Sequence, residues 1–337
     1  MQVLLSLPER EESREFLGFA LARNFWWRQL RQIRGDHLIN PVNIYQMGVM
    51  SPTSMAGRAL VVWDFDWSLI NKDSDETLVK GIGAHHIFER LIHGGMHWNQ
   101  SMDLTLLAAH DDMGVSKQDA LDALMTLPLE KSTKEVIQKL ALLDTCDQII
   151  LSDANYVSIL SVLQQHGIED CFMDVHTNPA EFRAGALRVS PYHKSDHGCT
   201  TLKGTACPPN MCKGKVLEGF LLENNYNMVA YVGDGQGDFC ACTRLGPRDL
   251  IFARTAYPGN PPENCALLKM LKSNGAAVIS DEQKSSAFFK SASTGDLQHM
   301  LAPNNRVRSE RIASQVVPWS DPDELASCLT KLASGWA

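Results

Sequence analysis

Asp64, Asp66, Ser152, Lys213, Asp234 and Asp238 are of types that, taken together and in that order, suit phosphoryl chemistry. A phosphate ester carries about two negative charges, and a site holding four aspartates would repel it unless cations were also present. Mg²⁺ is the cation that such hard oxygen donors accept, in an octahedron completed by waters and a substrate oxygen. Lys213 and the Ser152 hydroxyl are suited to neutralise and hydrogen-bond the remaining phosphate oxygens. One aspartate can then act as nucleophile, because an aspartyl-phosphate divides hydrolysis into two easier steps. A second carboxylate two residues along can protonate the leaving oxygen and afterwards activate water. Singly, each residue has a plainer reading: acids terminate strands, a strand-end serine caps, a lysine at a helix start is solvated, and Gly-Asp-Gly makes a turn. Their order and complementary charge favour the chemical reading.

Strand ends are the natural place to hold such groups. The apolar run at 60–65 predicts a strand that ends in the acid pair, and alternation along it sends Asp64 and Asp66 to the same rim beyond its carboxyl end. In open α/β sheets, ligands bind along that rim. Further strands are predicted at 148–151, ending just before Ser152, and at 228–232, ahead of Asp234, with a helix over 132–143. Strands separated by helical stretches imply crossovers and a mostly parallel sheet. The segment 73–130 far exceeds the dozen or so residues that a crossover needs, so it predicts a small helical cap. The core would then comprise 58–72 and 131–337. Within it, 269–311 is rich in Ser, Lys, Ala and Asn and reads as a flexible insertion. Order resumes at Val316-Val317-Pro318-Trp319, before a last helix over 321–332. Residues 1–57, basic and Trp-containing and then rich in Pro, Ser and Met, read as an extension that is poorly ordered or forms one helix.

The chain has 337 residues, 44% of them apolar, enough to bury a sizeable core. Its 31 Lys and Arg against 39 Asp and Glu, with no long basic run, argue against a nucleic-acid partner. No run reaches the ~18 apolar residues of a membrane span. The apolar opening is too short for a secretory signal, so a cytoplasmic protein acting on a small-molecule phosphate ester is the expectation. Nine cysteines, an odd count, read as thiols or metal ligands rather than a disulfide framework. His193, His197, Cys199, Cys207 and Cys212 crowd ahead of Lys213, and a tetrad of His193, Cys199, Cys207 and Cys212 would suit structural Zn²⁺. Their spacing contains no Cys-x-x-Cys pair, and reduced cysteines packing a loop are the alternative. Cys240 and Cys242 read as buried. Met96, His97 and Trp98 could shape a pocket above Asp64, although Trp98 reads more simply as a core residue.

The ordered set resembles the haloacid dehalogenase (HAD) superfamily of phosphatases. Asp64-Phe65-Asp66-Trp67-Ser68 matches the first motif, Ser152 the second, Lys213 the third and Gly233-Asp234-Gly235-Gln236-Gly237-Asp238 the fourth. The strings Asn71-Lys72-Asp73-Ser74-Asp75, Leu151-Ser152-Asp153-Ala154-Asn155, Cys207-Pro208-Pro209-Asn210-Met211-Cys212-Lys213 and the fourth motif extended to Phe239-Cys240 are similar to the phosphoethanolamine/phosphocholine phosphatase family. Its relatives include thiamine-phosphate, pyridoxal-phosphate and pyrophosphate phosphatases.

The resemblance implies a Rossmann-like α/β core with a helical cap between the first and second motifs, and Mg²⁺-dependent hydrolysis of a small phosphate monoester. It makes Asp64 the nucleophile and a metal ligand, and Asp66 the acid/base that also offers its backbone carbonyl to the metal. Asp234 becomes a further ligand, and Asp238 the holder of metal-bound waters. Asp75 and Asp153 match acidic positions that would face a cationic head group. Two departures stand out. Ser68 replaces a commoner threonine and keeps the hydroxyl, whereas Gln236-Gly237 replaces an Asn-containing pair and loses a donor. A catalytically silent phosphate-binding protein is the alternative from another class.

Overall fold

The computed structural model describes residues 57–200, 207–260, 264–285, 288, 289, 292 and 312–336. The extension expected over 1–57 lies, apart from Gly57, outside the described residues.

The first strand, β1 (Ala59–Trp63), is buried along its whole length. Four helices follow it: α1 (Ser74–Gly81), α2 (His85–His93), α3 (Trp98–Asp111) and α4 (Lys117–Leu124). They form the helical insertion between β1 and the rest of the sheet. Next come α5 (Lys131–Ala141), β2 (Cys146–Asn155), α6 (Tyr156–His166), β3 (Asp174–Asn178) and a hairpin of β4 (Ala180–Arg183) and β5 (Ala186–Val189). The chain continues through α7 (Lys213–Glu223), β6 (Met228–Gly233), α8 (Gln236–Cys242), β7 (Leu250–Arg254), α9 (Ala266–Ser273), β8 (Gln315–Trp319) and α10 (Pro322–Ala333). The main sheet has the order β3-β2-β1-β6-β7-β8, and every pairing in it is parallel. The mostly parallel α/β architecture expected from the alternation of strands and helices is therefore present.

Strand periodicity divides the core in two. Ala59, Val61 and Trp63 face a layer with Val136, Ile137 and Leu140 of α5 and Leu325, Leu329 and Leu332 of α10. Leu60 and Val62 face the opposite layer, with Leu217 and Phe220 of α7 and Leu267 and Leu271 of α9. Coverage on both faces explains why β1, β6 and β7 read as unbroken apolar runs. It also leaves only their carboxyl ends open to carry polar groups.

Sequence patterning passed over β3, β7 and the β4–β5 hairpin, which are short and carry mixed polarity or lie beside loops. The hairpin packs against α3, where Asp103 accepts two hydrogen bonds from the Arg188 guanidinium (2.8 and 2.6 Å) and one from the Val189 N–H (2.9 Å). The region read as a flexible insertion over 269–311 begins inside α9 instead, whose Leu267, Leu268 and Leu271 are buried. Val278 then bridges to Val316 beside β8. Residues 293–311 lie outside the described set.

Candidate active site

Asp64 directly follows β1, and its N–H donates to Val232 O on β6 (2.9 Å), so the neighbouring strand fixes its position. Phe65 turns into the core with Trp63, which leaves Asp64 and Asp66 facing away from it. The chain then reverses sharply at Trp67, whose φ of 58° is left-handed, a conformation that costs a bulky residue of the order of 1–3 kcal/mol. Arg254, at the end of β7, holds that turn closed. Its Nη1 donates to Trp67 O (2.6 Å), its Nη2 to Asn71 Oδ1 (2.6 Å) and its Nε to Ala256 O (2.9 Å). The guanidinium also lies 4.9 Å from the Trp319 ring centroid, a stacking arrangement open to arginine.

Lys213, at the first position of α7, is 97% buried and donates from Nζ to Asp64 Oδ1 (2.7 Å) and Asp238 Oδ1 (2.8 Å). Asp153 Oδ1 lies 3.5 Å from the same nitrogen. Asp234, beyond β6, accepts from Tyr257 OH (2.5 Å) and from Ser68 Oγ (3.4 Å). Asp238 is fully occupied: Oδ1 also accepts from Tyr231 OH (2.7 Å), and Oδ2 from the N–H groups of Asp234 (3.1 Å) and Gly235 (2.9 Å). This carboxylate closes so tightly over Gly233 that a Cβ there would lie 2.7 Å from Asp238 Cγ. Glycine at 233 is thus a packing requirement.

Asp64, Asp234 and Asp238 place carboxylate oxygens within 4.8 Å of one another. Against these three carboxylates stands the one ammonium of Lys213, so two negative charges are left over in a buried site. Burial, then Asp238, raises Asp64 well above the ordinary carboxylate range, with Lys213 pulling the other way. Burial and Asp238 likewise raise Asp234 to about 6. An all-oxygen donor set with two uncompensated negative charges fits a hard divalent cation such as Mg²⁺. It does not fit a soft one.

The remaining residues singled out in the sequence are placed as follows. Asp66 accepts from Ser74 N–H (2.9 Å) and Oγ (3.1 Å) in the first turn of α1, whose N-cap is Asp73. Burial, followed by Asp73 and Asp75, pushes its carboxyl well up despite those two bonds. Ser152 is fully buried within β2, in the irregular stretch between the Leu151 and Asn155 pairings with β3, and its Oγ accepts from the Ala154 N–H (3.2 Å). Asp75 accepts from Trp98 Nε1 (2.8 Å) and Asn155 Nδ2 (3.3 Å), and burial raises it to about 7. Trp98 is not a core residue: it is 47% exposed, set edge-on to Phe88 with its ring nitrogen tied to Asp75. His193 is not a fourth member of a cysteine tetrad. Its ring packs against Tyr192 and His197, and the fourth sulfur beside Cys199, Cys207 and Cys212 is that of Cys240.

Arg254, Tyr231 and Tyr257 escaped the sequence reading, and Asn155 entered it only within a longer string, with no role of its own. Arg254 did leave a signal, since it ends the apolar run of β7 much as Asp64 ends that of β1. The tyrosines left none, because one reads as an ordinary core aromatic and the other as a loop residue.

A family model described as "Putative Phosphatase" matches residues 59–267, a span that contains every group just placed around Asp64. The chain belongs to this family. Among its relatives, a thiamine phosphate phosphatase-like protein of Arabidopsis thaliana is 34% identical over 60% of this chain and 82% of its own length. Inorganic pyrophosphatase 1 of the same plant is 34% identical over 58% of this chain and 66% of its own length. A phosphoethanolamine/phosphocholine phosphatase of Gallus gallus is 32% identical over 63% and 79%. A solved structure described as a phospho-aspartyl intermediate analogue of phosphoserine phosphatase aligns with 64% of this chain and 98% of its own, at 16% identity and a TM-score of 0.41. Membership of a phosphatase family agrees with the parallel sheet and the strand-end carboxylates. Among the described residues, no helix is long and apolar enough to cross a membrane.

Proposed function

We propose that the protein is a Mg²⁺-dependent phosphatase that cleaves a small phosphate monoester bearing a cationic head, through a phospho-aspartate on Asp64. The observation that carries this reading is the buried clasp of Lys213 between Asp64 and Asp238. It aims an ammonium at the carboxylate best placed to attack, in a pocket already short of positive charge. Asp64 and Asp234, with the backbone carbonyl of Asp66, would hold Mg²⁺, and Asp238 would order the waters around it. The bound ion would offset the repulsion between the carboxylates and the incoming phosphate.

The residues themselves can carry the steps. An Asp64 oxygen forms a bond to phosphorus while the ester P–O bond breaks, and Lys213 balances charge on the phosphoryl oxygens. Ser152 accepts from its own turn, which leaves its hydroxyl proton to donate to one of those oxygens. Asp66 stays protonated to a higher pH than an exposed acid, so it can give that proton to the leaving oxygen. Once ionised, it takes a proton from the water that attacks the phospho-aspartate, releasing phosphate and restoring Asp64.

The cationic head is favoured by the surroundings. Asp75 and Asp153 stand with Asp73 near the pocket, where burial and then the charges of Asp73 and Asp153 raise the Asp75 carboxyl, and the half-exposed Trp98 ring is held beside Asp75. Carboxylates with an indole face suit an ammonium or quaternary ammonium group. Phosphocholine, phosphoethanolamine and thiamine monophosphate have such a charge, whereas pyrophosphate brings only negative charge to an acidic wall. The test is a panel of these four and pyridoxal phosphate, compared by kcat/KM for phosphate release at fixed Mg²⁺. The cationic esters should lead pyrophosphate by at least roughly tenfold, a difference of about 1.4 kcal/mol, and pyrophosphate leading would overturn the assignment of the head-group wall. Asp64→Asn should lower turnover by at least roughly 10³-fold. Appreciable activity in that variant would remove the nucleophile.

A further inference from the structure

Cys199, Cys207, Cys212 and Cys240 bring their four sulfurs within 4.8 Å of one another. Three of the edges are 3.7 Å (Cys199–Cys240), 3.7 Å (Cys207–Cys212) and 3.6 Å (Cys212–Cys240). None of these is a disulfide, whose sulfurs sit about 2.05 Å apart. Four sulfurs each ~2.3 Å from a common centre, as around tetrahedral zinc, would be separated by about 3.8 Å. Packed thiols also touch at about that distance, so the decisive features are those surrounding the cluster. The Lys215 N–H points at Cys212 Sγ (3.4 Å), and Arg244 Nη2 lies 3.6 Å from Cys199 Sγ. Arg244 is buried, its Nε has no hydrogen-bond partner, and Glu218 comes no closer than 3.9 Å to its guanidinium. A buried guanidinium directed at neutral thiols would be left with only the distant, partly exposed Glu218 as counter-charge. Directed at a zinc tetrathiolate, which carries two negative charges, it has a buried one.

We infer that Cys199, Cys207, Cys212 and Cys240 form a closed structural Zn²⁺ site. On binding, the four S–H bonds give way to four Zn–S bonds, and the protons pass to solvent. The ligands come from the segment before α7, from its N-cap and from α8. The site therefore ties the residue preceding Lys213 to the helix that carries Asp238. Gly214 makes the junction possible: a Cβ at that position would lie 2.5 Å from Cys240 Sγ. The ion would act as a staple holding the two loops that face the phosphate site, and would take no part in the chemistry there.

The experiment is elemental analysis of the full-length protein, produced in zinc-supplied medium and desalted over a chelating resin. About one zinc per chain is expected in the wild type, in His193→Ala and in the inactive Asp64→Asn, with loss to background in Cys207→Ser and Cys240→Ser. Because the readout is zinc content, it is independent of whether the chain hydrolyses any phosphate ester. Should the serine variants fail to fold, the wild-type protein exchanged with Co²⁺ decides, since a cysteine tetrad gives intense thiolate-to-cobalt absorption and the visible bands of a tetrahedral ion. Wild-type protein with background zinc, no cobalt spectrum and four sulfurs recovered as free thiols or as disulfides would overturn the site.

Discussion

The carboxylate cluster and the cysteine cluster adjoin along two stretches of chain, Cys212–Lys213 and Asp238–Cys240, yet their donors would select opposite kinds of cation. The carboxylates are held by protein groups from outside the cluster: Lys213, Tyr231, Tyr257, Ser68 and two backbone N–H groups. The cysteine sulfurs face mainly one another. The difference teaches what each can do. A site that must admit an ester and release phosphate has to keep its geometry when the ion and ligand leave, so the protein supplies the scaffolding. A closed sulfur tetrad can leave the holding to the ion.

Replacing Lys213 with Met separates the two most sharply. It removes the sole ammonium within hydrogen-bonding distance of Asp64 and Asp238 among the described residues and strands buried carboxylates, a change worth about 3–5 kcal/mol where a buried pair is broken. Turnover should fall by roughly 10³-fold, the scale seen when one donor to a transition-state oxyanion is removed. Thermal unfolding should show a lowered midpoint. Zinc content should not change, since the side chain leaves the sulfurs untouched. A Lys213→Met protein that lost zinc along with activity would mean that the two clusters form one cooperative unit.

Arg254→Met weakens the carboxylate side from a distance. Its guanidinium touches none of the reacting groups proposed above, but it holds the Trp67 carbonyl and Asn71, and with them the turn that directly follows Asp66. Loss of three buried hydrogen bonds should destabilise the chain by about 1–3 kcal/mol. It should also lower kcat by 10- to 100-fold as an order-of-magnitude expectation, given how steeply rate depends on placement. Arg254→Lys should restore part of the stability and little of the rate, because an ammonium cannot span the same acceptors. Equal losses in both variants without any change in kcat would leave Arg254 a fold residue only.

How far these features were legible in the sequence follows from how local they are. Asp64 and Asp234 end or follow unbroken apolar strands, and Lys213 opens a helix, so each could be found by reading a few residues. The cap was legible only as an excess of chain, because its helices show no signal stronger than length and mixed periodicity. Cys240 was read as buried, which it is, but not as the fourth sulfur, because its partner Cys212 lies 28 residues away in sequence. The crossover from α7 through β6 to α8 is what brings the two together, and proximity in sequence pointed to His193 instead. Asp66 illustrates the opposite limit. Alternation correctly turned it from the core but did not reveal that its carboxylate would settle on the N-terminus of α1.

The smallest expected effect concerns Asp75, which touches neither cluster directly and adjusts what the carboxylate side receives. Burial raises its carboxyl from 3.8 to about 7, so the folded chain holds that proton more tightly than the unfolded one does. Between about pH 4 and 7 the native state binds more protons, and stability from this group declines with rising pH and levels off above 7. Asp75→Asn removes that decline and should raise the melting midpoint at pH 8 by a few degrees, the size of a change of about 1 kcal/mol. Recognition should move in the opposite direction. In the wild type, kcat/KM for phosphocholine should rise through pH 7 more steeply than for p-nitrophenyl phosphate. Both esters share the phosphate ionisation near 6, but only phosphocholine has a cation for the ionised Asp75 to meet. The ratio of the two should grow by roughly 3- to 10-fold between pH 6 and 8, in keeping with an interaction of about 1 kcal/mol, and should stay flat in Asp75→Asn. A ratio that climbs equally in both proteins would place the head group elsewhere, and a midpoint unchanged at pH 8 would show that the carboxyl is already ionised at little cost in the folded chain.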